Sequence, residues 1–281
     1  MRARTIRLNA AWPAVPVLYE DDALMAIDKP AGLLTARDRW DPKRDNLMDL
    51  LHAGIEAGRE WARETGIREL ANVHRLDAET SGVLLLAKSR AALTALAEQF
   101  ERRHPQKLYL ALLDGAPTAD AFDIDLPIGP HPVRPGLSVV DQQAGKKALT
   151  RVRVVERFAR YTLVEAEIQT GRHHQIRVHL QHGGFPLVGD RPYGGRPLLL
   201  SRLKRGYKMK TEGEKPLIGR AALHAWRLTV RHPAEERDLV LEAPLPKDLA
   251  VGLKYLRRFG QPVSGAEAAT AFSNPGATPS V

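Results

Sequence analysis

Nine consecutive residues, His74-Arg75-Leu76-Asp77-Ala78-Glu79-Thr80-Ser81-Gly82, crowd polar side chains into a run with neither helical nor strand period. Asp77 has the chemistry of a nucleophile or base. Arg75 suits a phosphate or carboxylate partner, and Thr80 and Ser81 can lend hydrogen-bond support. The same composition also makes turns, in which an Asp bonds its own backbone two residues on. Residue types alone leave both readings open. Asp77 and Glu79 could also suggest the two acids that flank a scissile glycosidic bond, but nothing else in the chain supports a glycosidase. Further on, His173, His174, His179 and His182 invite a metal reading. They lie in a basic segment with no carboxylate close in sequence, so no metal is expected.

These residues need elements to hold them. Gly82 feeds the apolar run Val83-Leu84-Leu85-Leu86-Ala87, which reads as a central strand buried on both faces. Ser89 is placed to cap a helix whose Leu93, Leu96 and Phe100 share one face. Over Lys107–Leu113 the leucines 108, 110 and 112 face one way and Tyr109, Ala111 and Leu113 the other, which sets Tyr109 on the side away from the leucines. In Tyr161–Thr170 the inward Val164, Ala166 and Ile168 alternate with Glu165, Glu167 and Gln169. Gly171 ends that strand, and His173–His182 fits a short helix with Ile176 and Leu180 inward. Two early strands break at Glu20-Asp21-Asp22, Leu47–Trp61 has helical spacing, late strands fall over 222–230 and 238–242, and Pro246 opens a final helix. No repeat at solenoid spacing is evident.

Composition narrows the classes. The net charge is +9 and cysteine is absent, which excludes disulfides, thiol catalysis and cysteine-based zinc sites and suits a reducing compartment, so a cytoplasmic protein is expected. No apolar run approaches the ~18 residues of a membrane span, and the start carries arginines without a signal-peptide core. The basic balance favours a polyanionic partner. It is concentrated: residues 191–220 hold nine cations against Glu212 and Glu214, which is +7 of the whole. Composition alone reads this stretch equally well as a solvated loop.

The first stretch resembles the signature of the RluA-type pseudouridine synthases, His-Arg-Leu-Asp followed by two variable residues and Thr-Ser-Gly. The likeness continues through Leu18–Asp22 and Asp28-Lys29-Pro30-Ala31-Gly32, then Lys107-Leu108-Tyr109-Leu110-Ala111. It extends to Gly171-Arg172-His173-His174-Gln175-Ile176-Arg177, Leu187-Val188-Gly189-Asp190 with Tyr193-Gly194, and Leu223-His224-Ala225-Trp226 with His232-Pro233. Six motifs in order span residues 15–249.

The resemblance implies an α+β fold, a mixed, largely antiparallel sheet with flanking helices. It implies an RNA pseudouridine synthase that isomerises a uridine of ribosomal or transfer RNA, without cofactor or metal. Asp77 would be the nucleophile. Arg177 would pair with it, since an opposite charge favours a buried carboxylate's ionised form and a planar guanidinium can hold both oxygens. Tyr109 would stack on or edge the uracil, its phenol a candidate for the C5 proton step. Arg75 would fill the space left by a flipped base. His74, Thr80, Arg172 and Gln175 would support the substrate, with His74 shaping the loop. The expected organisation is an N-terminal extension over 1–14, a catalytic domain over 15–258 with a basic insertion near 191–220, and a disordered tail over 259–281. No S4 RNA-binding domain is expected ahead of the catalytic pattern, and a monomer is expected. The rival reading is an RNA-binding assembly factor that keeps the fold without activity; its sign would be a replaced Asp, Tyr or Arg, and all three are present.

Overall fold

A computed structural model describes residues 4–38, 41–209 and 211–260. The chain opens with β1 (Thr5–Ile6), β2 (Val15–Glu20) and β3 (Leu24–Lys29), the last two joined at the expected polar turn. Asp21 makes that turn by accepting the backbone N–H groups of Ala23 and Leu24. The expected N-terminal extension is therefore part of the sheet: β1 pairs with β2, and Ile6 and Leu8 are buried.

Two helices, α1 (Leu47–Glu56) and α2 (Glu60–Arg63), replace the single one that the spacing predicts. Asn46 caps α1 by accepting from Asp49 N, and Gly58, at φ +60°, breaks the run before α2. Next come β4 (Ala71–Asn72), β5 (Ser81–Ala87), α3 (Arg90–Glu101) and β6 (Gln106–Asp114). Every residue of β5 is buried, and Ser89 caps α3 through Ala92 N. Leu96 is buried in the core, with Leu93 and Phe100 packed against it.

The middle of the chain supplies β7 (Ala121–Asp125), the hairpin β8 (Ile128–Pro130) and β9 (Ser138–Val140), β10 (Leu149–Arg157), β11 (Tyr161–Ile168) and α4 (Gln175–His182). A 3-10 turn at Arg191–Tyr193, α5 (Leu200–Leu203), β12 (Leu223–Arg231), β13 (Asp238–Glu242) and α6 (Lys247–Phe259) complete the described residues. The tail expected to be disordered lies outside them from residue 261.

The main sheet runs β1-β2-β3-β5-β12-β6-β11-β10-β7, with β13 on β12 and β4 on β5. Its pairings are antiparallel except β5 with β12, where Ser81 opposes His224 and Ala225 opposes Gly82. This is the mixed, largely antiparallel sheet with flanking helices expected of an α+β fold. At the parallel junction the backbones approach so closely that a Cβ on Gly82 would lie 2.2 Å from Ala225 O. With φ at +113° as well, the position admits only glycine.

One face of the sheet packs against α1, α2 and α4, through Leu47, Leu51, Trp61, Ile176 and Leu180. The other packs α3 against β5, β12 and β13. Tyr109 belongs to the first core, together with Ala111 and Leu113. Both faces of β6 are thus buried. The face opposite the leucines is not a polar one, and Tyr109 meets the site at the edge of a core.

Candidate active site

His74, Arg75, Leu76, Asp77 and Thr80 line one wall of a cleft of ≈ 540 Å³, and the start of α4 lines the other, with Lys107 and Tyr109 of β6 between them. His74 shapes the loop from inside. Its Nε2 accepts Leu85 N–H at 3.1 Å and its ring stacks on Phe100 at 5.1 Å. Accepting through Nε2 requires the neutral ring, and burial, followed by the charge of Lys107, lowers its pKa to about 3. The ring is thereby committed within the protein, not to the substrate.

Two tethers fix the backbone around Asp77. Thr35 Oγ1 donates to Leu76 O at 2.8 Å and accepts Leu76 N–H at 3.1 Å. Lys29, fully buried, donates to Pro30 O, Leu33 O and Ala78 O. Burial lowers its pKa to about 7 against the opposing pull of Asp77. Thr80 N–H closes the turn on Asp77 O at 3.1 Å. The turn geometry and a half-buried carboxylate open to the cleft therefore coexist at Asp77, whose side chain is 19% exposed.

Arg177 pairs with Asp77 as expected, but through one nitrogen only. Its Nε and Nη2 donate to the two oxygens of Asp190, each at 2.7 Å, so the bidentate partner is Asp190. Only Nη1 faces Asp77, 3.8 Å from Oδ2. The guanidinium also lies 4.8 Å from the centre of the Tyr193 ring. Both members of the Arg177–Asp190 pair are buried, and Arg177 is held firmly in its charged form by Asp190 and Asp77. Gly189, at φ +76°, turns the chain into Asp190; a Cβ there would strike Arg220 O at 2.0 Å.

Gln175 does not present its amide to the cleft. Oε1 accepts from Thr170 Oγ1 and Arg172 N, and Nε2 donates to Leu149 O and Thr150 Oγ1. All four of its hydrogen-bonding positions are used to start α4. Arg172 lines the cleft while donating to Lys147 O. Arg75, exposed, stands at the cleft wall. Burial, followed by the charge of Asp77, raises the Tyr109 pKa beyond the usual phenol range, so its proton stays on at neutral pH. A phenolate base for the C5 step is correspondingly disfavoured.

The helix expected from His173 begins two residues later, because His174 sits in the left-handed region at φ 55°. That bend stacks His174 on His173, with ring centres 3.7 Å apart, and aims His174 Nε2 at Asp77 Oδ2, 3.9 Å away. Asp77, His173 and His174 thus offer ligand atoms within 4.8 Å of one another. The carboxylate missing from the local sequence is delivered by the fold. His179 is occupied otherwise, with Thr150 Oγ1 and Leu126 O. Glu79 does not line the cleft.

Sequence reasoning passed over Lys29, His174, Asp190 and Tyr193 as site residues. Each stands inside a stretch that carries the family resemblance, which was the available signal. The basic stretch 191–220 divides: Tyr193 backs the cleft, Leu198, Leu203, Leu217 and Ile218 pack with α6, and none of its described residues lines the cleft.

The sequence pattern of the family described as RNA pseudouridylate synthase matches residues 23–182. The ribosomal large subunit pseudouridine synthase D of Nitrosomonas europaea is 39% identical over 249 residues, covering 87% of this chain and 66% of that protein. Its namesake in Pseudomonas aeruginosa is 40% identical over 245 residues, covering 86% and 72%. The chain thus spans about two thirds to three quarters of the length of these relatives. Among solved structures, human RNA Pseudouridylate Synthase Domain Containing 4 matches with a TM-score of 0.63 at 27% identity, over 86% of this chain and 92% of that one. No helix among the described residues is long and apolar enough to cross a membrane.

Proposed function

This chain belongs to the RNA pseudouridylate synthase family, and from that membership we propose that it isomerises a specific uridine of structured ribosomal RNA, with Asp77 as the nucleophile. The observation that carries the proposal is the carboxylate of Asp77 in the cleft, 3.8 Å from an Arg177 nitrogen whose neighbours are locked on Asp190. A charge fixed in this way stabilises the carboxylate without having to reorganise during the reaction.

The isomerisation breaks N1–C1′, turns the uracil while it is held, and joins C5 to C1′. The C5 proton leaves and N1 gains one, so atoms balance without oxidant or cofactor. Attack at C1′, attack at C6 and assistance to a glycal all begin from the Asp77 carboxylate. Tyr109, keeping its proton, offers its ring as the surface on which the uracil lies. A stacked base cannot reach so recessed a group, so the nucleotide is flipped or already unpaired, and Arg75 fills the gap. Ribosomal RNA is favoured by the relatives named above. Transfer RNA is the competing substrate, and mapping pseudouridine in both RNAs with and without the protein separates them.

The direct test is tritium release from RNA carrying 5-tritiated uridine. Asp77→Ala is expected to lower release by about 10³-fold or more, with circular dichroism unchanged. Release at the wild-type rate sinks the assignment.

A further inference from the structure

We propose that Asp77, His173 and His174 form a binding site for a borderline divalent transition-metal ion of the zinc class, and that the bound ion silences the enzyme by occupying the Asp77 carboxylate. The coordination part stands on geometry alone. The silencing part rests on the role of Asp77 proposed above.

Two imidazoles and one carboxylate are a donor set that such ions take readily, with water in the remaining positions. Their ligand atoms lie within 4.8 Å of one another. A tetrahedral ion with bonds near 2.0–2.2 Å holds its ligands roughly 3.3 Å apart, so closing the set takes side-chain adjustment and no refolding. Metal-binding histidines commonly have their other ring nitrogen held by a polar group, which fixes tautomer and orientation. Both rings here are held in that way. His173 Nδ1 is hydrogen-bonded to Ser138 Oγ at 2.9 Å, and His174 Nδ1 to the Tyr193 hydroxyl at 2.8 Å.

The second contact also orients His174. The Tyr193 hydroxyl accepts Ser138 N–H at 2.9 Å, and its one proton is shared between Ser138 O at 3.2 Å and His174 Nδ1 at 2.8 Å. With Nδ1 held in this contact, Nε2 is the nitrogen turned to Asp77 Oδ2, 3.9 Å away. A metal ion would take that nitrogen in place of a proton.

The cleft's arginines oppose a cation, but the nearest is already countered. Arg177 donates two hydrogen bonds to the buried Asp190, so Asp77 keeps charge to give a metal.

The test titrates the full chain with Zn²⁺ alone by calorimetry, and with Co²⁺ by visible absorption. Wild type is expected to bind one ion, with Co²⁺ bands of a site bearing nitrogen and oxygen ligands. His173→Ala and His174→Ala should each weaken binding at least about tenfold, and Ser138→Ala roughly tenfold, as expected for loss of a group that holds a ligand. His182→Ala, at an exposed histidine at the far end of the helix that follows, should change nothing. Absence of saturable binding, or binding undiminished in His173→Ala, overturns the site. His173 is exposed, so its replacement is the change least able to unfold the protein. Tritium release by wild type should stop at saturating Zn²⁺ and return with a chelator. Release that continues with the ion bound overturns the silencing part, whereas an active Asp77→Ala enzyme without metal would overturn the nucleophile itself.

Discussion

Two arginine–aspartate clamps flank the loop that carries Asp77, and they use the same guanidinium geometry for different ends. Arg177 grips Asp190 on the cleft side and leaves Nη1 facing the Asp77 carboxylate. Arg220 grips Asp248 beside a second cavity of ≈ 590 Å³, but its Nη1 donates to Glu79 O, Ala221 O and Leu223 O, while Nη2 also reaches Ser81 Oγ. The first clamp presents charge, and the second splices the loop to β12. The residue that receives the last N–H, more than the ion pair, decides whether a clamp does chemistry or holds structure.

Removing each aspartate breaks the comparison most directly. Asp190→Ala strands a buried guanidinium and is expected to cost about 3–5 kcal/mol, with turnover down about 100-fold or more. Asp248→Ala leaves Arg220 its carbonyl partners and should cost only about 1.5–3 kcal/mol, with turnover within a few-fold. Urea unfolding and tritium release check both, and equal losses would erase the distinction.

Acid acts on buried histidines at both clamps and, in the opposite sense, on one carboxyl of the second cavity. Burial lowers the pKa of His174 to about 2 and of His74 to about 3 beside the cleft, and of His224 to about 4 next to the Arg220 clamp. The unfolded chain takes up these protons near pH 6.5 and the native state refuses them, so stability is lost as pH falls from 6.5 toward 4. Asp28, in the second cavity, runs the other way. Burial raises its pKa to about 6, so the native state takes a proton before the unfolded chain does, and this offsets one of the three between about pH 6 and 4. Each uncompensated proton is worth about 1.4 kcal/mol per pH unit. Unfolding midpoints at pH 7, 6 and 5 should therefore fall, and Asp28→Asn should steepen the fall by about one proton. An unchanged slope in that variant would remove Asp28 from the account.

The smallest effect belongs to the basic stretch outside both clamps. Replacing Lys204, Arg205 and Lys208 with Gln should flatten the salt dependence of RNA binding by up to about 0.7–0.9 per charge and leave kcat unchanged. A lost kcat would mean that this stretch reaches the cleft.

Local pattern made much of the fold legible. The alternation of Val164, Ala166 and Ile168, the unbroken apolar run of β5 and the Ser89 cap each report a single element. The same rules miss features that distant contacts impose. Helical spacing carries on through Gly58, where the backbone breaks. The left-handed turn at His174 is uncommon for a non-glycine residue, and no periodic pattern signals it. Asp190 lies thirteen residues from Arg177, off the helix and beyond any periodic rule. At the site, residue types left Asp77 undecided between turn and chemistry, and the fold shows the turn to be how the carboxylate is displayed. No local pattern brings a carboxylate to His173 and His174, so the three-ligand cluster is visible only in three dimensions.

The join of β5 to β12 has a consequence in time. Ser81 and His224, hydrogen-bonded across it at 3.0 Å, are 143 residues apart. At about 5–20 residues per second of synthesis, strand β5 waits roughly 7–30 s for its neighbour to be made. Over that interval the apolar strand is covered by β3 on one edge and by β4 only at Leu86 and Ala87 on the other, and the open stretch Ser81–Leu85 is of the kind that invites aggregation. A nascent chain stopped before residue 223 has the Asp77 loop and Arg177 but not the strand that sets them in one sheet. The molecule therefore gains its cleft only after β12 has been made, and a chaperone able to shield one strand edge for that interval should raise the yield of folded protein.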